Sequence, residues 1–257
     1  MITSTQNPKL KLARSLMGRP KERHAAGAFV AEGVRLLEEA LAASWPVRFV
    51  LYTAEVSERA RELVKKLEEH GCEVEQVADT LLNAVSRTET SQGLLAVLDY
   101  SPLPLPQPLN FALIADSIRD PGNLGTLLRT AAAAGVQAVF LPPETTEPFA
   151  PKVVRAGMGA HFHLPIFNLG WDEIRIATSP LKVYLADMQG SPCWQTDFCQ
   201  PLALIIGGEA GGATEAARRL AEETVSIPMP GKAESLNAGV AGGVLMFEVV
   251  RQRKLGE

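Results

Sequence analysis

Apolar residues along this chain recur with helical spacing in some stretches and in short continuous runs in others, and the switches between the two mark out its elements. In Glu32–Leu41, the side chains of Val34, Leu37 and Leu41 share one helical face. Val47–Tyr52 is a compact apolar run that predicts a strand. Val56–His70 predicts a charged amphipathic helix stopped by Gly71. Cys72–Val77 and Gly93–Leu98 predict two more strands, with a short helix around Leu81 between them. Strands alternating with helices predict a small α/β domain built on a parallel or mixed sheet.

The alternation breaks at Ser101-Pro102-Leu103-Pro104-Leu105-Pro106-Gln107-Pro108. Alternating prolines neither donate to a ladder nor continue a helix, so this octet is expected to run extended as a semi-rigid linker. The chain thus divides into an N-terminal domain (1–100), a linker (101–108) and a C-terminal domain (109–257). Beyond the linker stand four nearly continuous apolar runs: Phe111–Asp116, Ala138–Leu141, Lys182–Asp187 and Leu202–Ile206. Parallel strands buried on both faces have this pattern. Helices fit at Leu124–Ala134, Pro151–Met158, Thr214–Glu223 and about Leu236–Arg253. The second domain is therefore expected to be an α/β sheet with helices on both faces, binding ligands beyond the carboxyl ends of its strands.

Composition narrows the picture without naming a function. Of 257 residues, 46% are apolar and 21% charged, which excludes the low-hydrophobicity signature of disorder. The net charge of −4 announces no nucleic-acid partner, so RNA would have to be met by a local patch. Residues 9–23 supply one, with Lys9, Lys11, Arg14, Arg19, Lys21 and Arg23 set against the single acid Glu22. The polar stretch from Met1 to Lys11 does not read as a signal peptide, and no apolar run approaches the ~18 residues of a membrane span. Cys72, Cys193 and Cys199 are odd in number and lack metal spacing. A cytoplasmic protein with reduced thiols and no membrane contact is expected. His161-Phe162-His163 could place two imidazoles on one strand face, but with no third ligand no metal site is expected.

Three loops carry the candidate chemistry. The first, Asp120-Pro121-Gly122-Asn123-Leu124-Gly125, leads into a helix that Asn123 could cap, with Arg129 on the second turn. Taken alone, it reads equally well as an ordinary capped helix with one surface arginine. The second, Gly207-Gly208-Glu209-Ala210-Gly211-Gly212, lacks both the dinucleotide fingerprint and the Lys-Ser/Thr of a phosphate loop. Its Glu209 would repel a phosphate and suits a neutral or cationic ligand, or an arginine partner. The third runs from Ile227 to Asn237. Its Gly231-Lys232 is followed by Ala233, which rejects a phosphate-loop reading. Ser235 or Asn237 could cap the last helix, and Gly239, Gly242 and Gly243 inside that helix imply close approach of another backbone, chain or ligand.

Together and in this order, the loops resemble the three motifs of the SpoU (TrmH-like) RNA ribose 2′-O-methyltransferases of the SPOUT superfamily. The pattern is carried by Asn123, Gly125 and Arg129, then by Gly207 and Glu209, then by Ile227-Pro228-Met229 and Ser235-Leu236-Asn237, ending in Phe247-Glu248 and Arg251-Gln252. Ala210, and Ala238-Gly239, depart from the family's usual residues. In the N-terminal part, Asn7-Pro8-Lys9, Phe29–Gly33 and Gln92-Gly93 resemble a SpoU-type substrate-binding domain, a smaller α/β/α fold like that of kink-turn-binding ribosomal proteins. The resemblance implies a C-terminal domain with a deep trefoil knot. It implies an S-adenosylmethionine pocket formed by Leu185, Gly207, Gly208, Ile227, Leu236 and Asn237. It further implies a homodimer, no metal, and catalysis by Arg129 with Asn123, Glu209, Ser235 and Asn237 around it. Whether Arg129 takes the proton itself or clamps a substrate phosphate stays open, since a guanidinium is a poor proton acceptor. The expected substrate is structured RNA, ribosomal rather than transfer RNA. The alternatives are a transfer RNA enzyme and a non-catalytic RNA-binding module of the same fold. A dehydrogenase is disfavoured by the missing fingerprint.

Overall fold

A computed structural model describes residues 1–86, 91–209, 211–232 and 234–255, so that Ala210 and Ala233 lie outside the described residues. Two compact units emerge: Met1–Ser101 together with Phe149–Phe162, and Pro102–Pro148 together with His163–Glu257.

The first unit opens with α1 (Pro8–Leu16) and α2 (Pro20–Ala26), each starting at a proline, whose missing N–H costs nothing there. Asn7 caps α1, its side chain accepting from the Lys9 amide at 2.9 Å. Then follow β1 (Ala28–Glu32), α3 (Val34–Ala42), β2 (Val47–Tyr52), α4 (Glu58–Glu69), β3 (Val74–Gln76), α5 (Asp79–Asn83) and β4 (Leu94–Asp99). The sheet is mixed, ordered β1-β4-β2-β3, with only β2 and β3 parallel. The helix expected from Glu32 begins at Val34, because Glu32 is the last residue of β1 and Gly33 turns the chain at a φ of 102°. Leu10, Ala13 and Leu16 of α1 pack on Val30, Phe49, Leu51, Leu95 and Val97 of the sheet.

The second unit contains β5 (Phe111–Asp116), α6 (Pro121–Ala133) and β6 (Ala138–Leu141). The chain then makes α7 (Pro151–Gly157), which counts with the first unit. There Phe149 and Phe162 pack with Phe29, Trp45 and Tyr100. β7 (Ile166–Asn168), α8 (Trp171–Ala177), β8 (Lys182–Pro192), β9 (Leu202–Gly207), α9 (Glu215–Leu220), β10 (Glu223–Ser226) and α10 (Ala238–Leu255) complete the second unit. Its six strands are all parallel in the order β10-β8-β9-β5-β6-β7. On one sheet face, Ile174 of α8 and Ala217 of α9 join Ile114, Phe140, Val183 and Ile205 in the core. α6 and α10 pack on each other, α6 against β5 and α10 against β9.

His161 and His163 do not share a strand face. Ala160–Phe162 is a 3-10 helix, with His161 buried and His163 exposed. Among the described residues no group of three His, Cys, Asp or Glu side chains could hold a metal ion, and no helix is long and apolar enough to cross a membrane.

Candidate active site

The first loop folds differently from a simple capped helix at Asn123. Asp120 is the cap, its Oδ1 accepting from the Asn123 amide at 2.8 Å, and Pro121 is the first helical residue. Asn123 thus lies inside the first turn with its side chain released from capping. Its Oδ1 accepts from Asn237 Nδ2 at 2.9 Å. Asn237 in turn caps α10, Oδ1 accepting from the amides of Gly239 at 2.9 Å and Val240 at 3.2 Å. Because those two amides demand an oxygen, the amide orientation of Asn237 follows from the network. The first and third loops are locked at one point.

The glycines of α10 make this contact possible. A Cβ at Gly242 would sit 2.3 Å from Leu127 Cδ2, and one at Gly239 would sit 3.1 Å from Thr126 Cγ2. The close approach implied by these glycines is therefore met by α6 of the same chain.

Arg129 is exposed and makes no hydrogen bond or ion pair among the described residues. Six residues on from Asn123, it lies about 120° round the helix, beside the face that meets α10. Arg129 also lies past the middle of α6, so the two side chains share neither one end nor one face of the helix.

The second loop leaves β9 at Gly207, opposite Asp116 at the end of β5. The buried Asp116 carboxylate accepts from the Thr214 amide at 2.7 Å, tying the end of β5 to the start of α9. Both glycines are required by space: a Cβ on Gly207 would meet Ala213 N at 2.7 Å, and one on Gly208 would meet Ser117 O at 2.4 Å. Glu209 borders a cavity with Ser117, Arg119, Glu144 and Thr214.

A separate, mainly apolar cleft opens beside the middle of β8, where its pairing with β10 shifts register, and at the carboxyl end of β10. Ala186, Met188, Ile227, Met229, Leu236 and Leu245 line it, with Asp187, Ser226 and Ser235 as its polar side chains. Ile227, Leu236 and Ser235 are thus on its wall. Leu185 is buried within β8 between Thr224 and Ile205, while Gly208 borders the Glu209 cavity instead. Asp187 was not singled out in the sequence, although it ends one of the recognised apolar runs. Its Oδ1 accepts from the Gln189 amide at 3.0 Å and its Oδ2 from Arg218 at 2.8 Å. These two bonds hold its carboxyl below the usual carboxylate range against the opposing effect of burial.

Glu248, Arg251 and Gln252 fasten the fold. Glu248 is buried and accepts both prongs of Arg251, at 2.7 and 2.8 Å, and Gln252 Nε2 at 2.7 Å. Gln252 also accepts from the Phe198 amide at 2.9 Å, pinning α10 to the segment after β8.

The basic stretch needs one correction. Arg23 is buried, 1% exposed, and donates to the Leu16 carbonyl at 2.6 Å, so it is part of the packing of α1 and α2 and offers nothing to a phosphate. Lys9 is paired with Glu73 and Glu75. Lys11, Arg14, Arg19 and Lys21 are exposed.

Residues 110–247 match the SpoU rRNA Methylase family, and residues 7–96 match the MRM3-like substrate binding domain. The chain is 34% identical to the 23S rRNA (guanosine(2553)-2′-O)-methyltransferase RlmP of Bacillus subtilis, over 96% of this chain and 98% of the relative. It is 33% identical to the 23S rRNA (uridine(2479)-2′-O)-methyltransferase of Streptomyces viridochromogenes, over 99% of this chain and 93% of the relative. The crystal structure of the SpoU methyltransferase AviRb from Streptomyces viridochromogenes in complex with AdoMet has a TM-score of 0.87 and 32% identity, covering 98% of this chain and 100% of that one. The AdoMet-bound rRNA methyltransferase from Sinorhizobium meliloti has a TM-score of 0.83 and 30% identity, with 97% of each chain covered. With its motif loops gathered at the carboxyl ends of one parallel sheet and the family match spanning that sheet, this protein belongs to the SpoU rRNA methylase family.

Proposed function

We propose that this protein transfers a methyl group from S-adenosylmethionine to a ribose 2′-hydroxyl of ribosomal RNA. The observation that carries the reading is the apolar cleft between the middle of β8 and the end of β10, lined also by the third loop and α10. Its donor set fits the cofactor. Methionine, isoleucine and leucine side chains suit an adenine ring and a thioether chain, and the few polar groups are placed to orient rather than to react. Ile227 and Leu236 would hold the cofactor directly, with Leu185, Gly207 and Asn237 shaping the strands and loops around it. When bound, S-adenosylmethionine supplies a methyl group on a sulfonium, electrophilic enough for direct attack by a hydroxyl.

The protein's own task is to align that hydroxyl and to help its proton leave. A guanidinium stays charged at any physiological pH and is a poor proton acceptor. Arg129 therefore clamps a substrate phosphate, whose oxygen takes the hydroxyl proton. Its exposure, with no bonded partner among the described residues, supports this role. The Asn123–Asn237 pair holds the loop beside it, and Glu209 and Ser235 contribute polar contacts from the second and third loops.

The active form is a cytoplasmic homodimer with the family's trefoil knot, needing no metal. Support for pairing comes from α10, where Val240 and Phe247 are exposed one heptad apart, with Val244 half-buried between them. The RNA-binding part is 1–100, the linker 101–108 and the catalytic part 109–257 apart from Phe149–Phe162, which count with the first unit. In the first of these Lys11, Arg14, Arg19 and Lys21 meet phosphates, as structured RNA is recognised largely by shape and backbone. The test is methyl transfer from labelled S-adenosylmethionine to ribosomal RNA from a deletion strain, with the modified position mapped. A new 2′-O-methyl group in ribosomal RNA is expected. Transfer only to transfer RNA would redirect the substrate, and cofactor binding without transfer to any RNA would leave a non-catalytic module.

A further inference from the structure

The order of the strands singles out a crevice that the cofactor cleft does not use. From β5 the chain crosses through α6 to β6 on one side of the sheet order, and from β9 it crosses through α9 to β10 on the other. The two crossovers diverge, so the carboxyl ends of β5 and β9 flank the topological switch point, where open α/β sheets hold ligands. A cavity of about 390 Å³ lies there, bordered by Ser117, Arg119, Glu144, Gly208, Glu209 and Thr214. That size is within the ~300–1,000 Å³ of ordinary ligand pockets.

Its walls are held in costly conformations. Ser117 and Glu144 both adopt positive φ, 54° and 70°, a region that side-chain-bearing residues rarely enter. Thr145 secures the Ser117 wall, accepting from the Ser117 amide at 3.1 Å and donating to the Ala115 carbonyl at 2.9 Å. Gly208 lets the second loop come within contact of Ser117. Backbone strain that its surroundings over-determine marks functional walls.

Resting on the methyl-transfer reading above, we infer that this crevice seats the nucleotide that receives the methyl group, Arg119 holding one of its phosphates and Glu144 and Glu209 its base edge. Arg119 and Glu144 meet in an exposed ion pair at 2.7 Å, with side chains 75% and 65% exposed. Such a pair is weakly held in water. A phosphate captures the guanidinium with stronger charge-assisted bonds. Glu144, once released, accepts N–H groups of the base, as Glu209 does from the opposite wall. The carboxylates keep phosphates out of the crevice floor, which orients the nucleotide base inward and backbone outward.

Two measurements test this. First, adenosine, guanosine, cytidine and uridine 5′-monophosphates are titrated into the protein saturated with S-adenosylhomocysteine, and amide resonances are followed. Shifts centred on Ser117, Arg119, Gly208 and Thr214 are expected, and they should vanish in Arg119→Ala. Second, Arg119→Ala should raise KM for unmethylated ribosomal RNA roughly 10- to 100-fold, the scale of a lost charged hydrogen bond, with unchanged affinity for S-adenosylmethionine. An unchanged KM, or silent crevice amides in a protein that still methylates RNA, overturns the inference alone. Weakened S-adenosylmethionine binding in Arg119→Ala also overturns it, by assigning the crevice to the cofactor's tail. Failure of the unaltered protein to methylate any RNA overturns the underlying reading as well.

Discussion

Asn237 reaches back across 114 positions to donate to Asn123 at 2.9 Å while its oxygen caps α10. One amide thus performs two tasks, ending the third loop and fastening it to the first.

The two tasks are separable by mutation. Asn237→Ala should lower stability by roughly 1–2 kcal/mol, from the lost cap and the lost side-chain bond. Asn237→Asp keeps the capping oxygen but puts an acceptor against Asn123 Oδ1. It should retain most of the stability and still lose methyl transfer. Urea unfolding alongside transfer assays reads both. Equal stability loss in the two variants would contradict the division.

Arg129→Ala should lower methyl transfer at least ~100-fold, the scale of losing one strong electrostatic stabiliser, with little change in S-adenosylmethionine affinity. Arg129→Lys should rescue poorly, because an ammonium lacks the planar fork. Calorimetric binding together with single-turnover rates decides this. A variant that fails only because it no longer binds the cofactor would remove Arg129 from the chemistry.

The α10 glycines should respond with opposite signs. Gly242→Ala puts a Cβ 2.3 Å from Leu127 Cδ2, and Leu127 is fully buried. Overpacking of about 1–3 kcal/mol outweighs the ~1 kcal/mol gained in helix propensity. At Gly243 the nearest atom is Thr130 Cγ2 at 3.5 Å, ordinary contact, so Gly243→Ala should be neutral or stabilising by up to ~1 kcal/mol. Thermal unfolding of the two variants provides the check.

Glu248 should set part of the acid sensitivity. The Arg251 guanidinium beside it holds its carboxyl below the ordinary 4.5, more than offsetting burial. A carboxyl lowered in the folded state stabilises above its unfolded value and loses that contribution as pH falls through the folded one. The stability advantage of the natural protein over Glu248→Gln should therefore be constant near neutrality and shrink below about pH 4.5. Urea midpoints measured against pH would show it.

Basic residues near the N-terminus should divide by burial. Reversing Lys11, Arg14, Arg19 and Lys21 to Glu should weaken RNA binding and flatten its salt dependence while leaving the unfolding midpoint nearly unchanged. Arg23→Met should do the opposite, costing about 1–3 kcal/mol by leaving the Leu16 carbonyl without its donor. Filter binding at several salt concentrations separates the two groups.

Much of the architecture was open to the sequence by itself. β2, β5 and β6 occupy the very runs that their apolar pattern marks, and the first two motif loops begin where the runs of β5 and β9 stop. Such elements are local: a strand buried on both faces needs only a short apolar stretch, and Gly or Pro ends it. β7 and β10, three and four residues long, carry too few side chains to show a period, and their pairing with β6 and β8 defines them. That Asp120 rather than Asn123 caps α6 is signalled locally by Asp120-Pro121, since proline favours the first helical position, and the tertiary structure alone decided that the released Asn123 meets the distant Asn237. It alone buried Arg23 among exposed cations, since charge in a sequence says nothing about which face the helix turns inward. Asp187 and the crevice beside Arg119 arose the same way. Periodicity records a residue's neighbours within one turn or one pleat, whereas a site is made by strand order, which brings together chain ends a hundred residues apart.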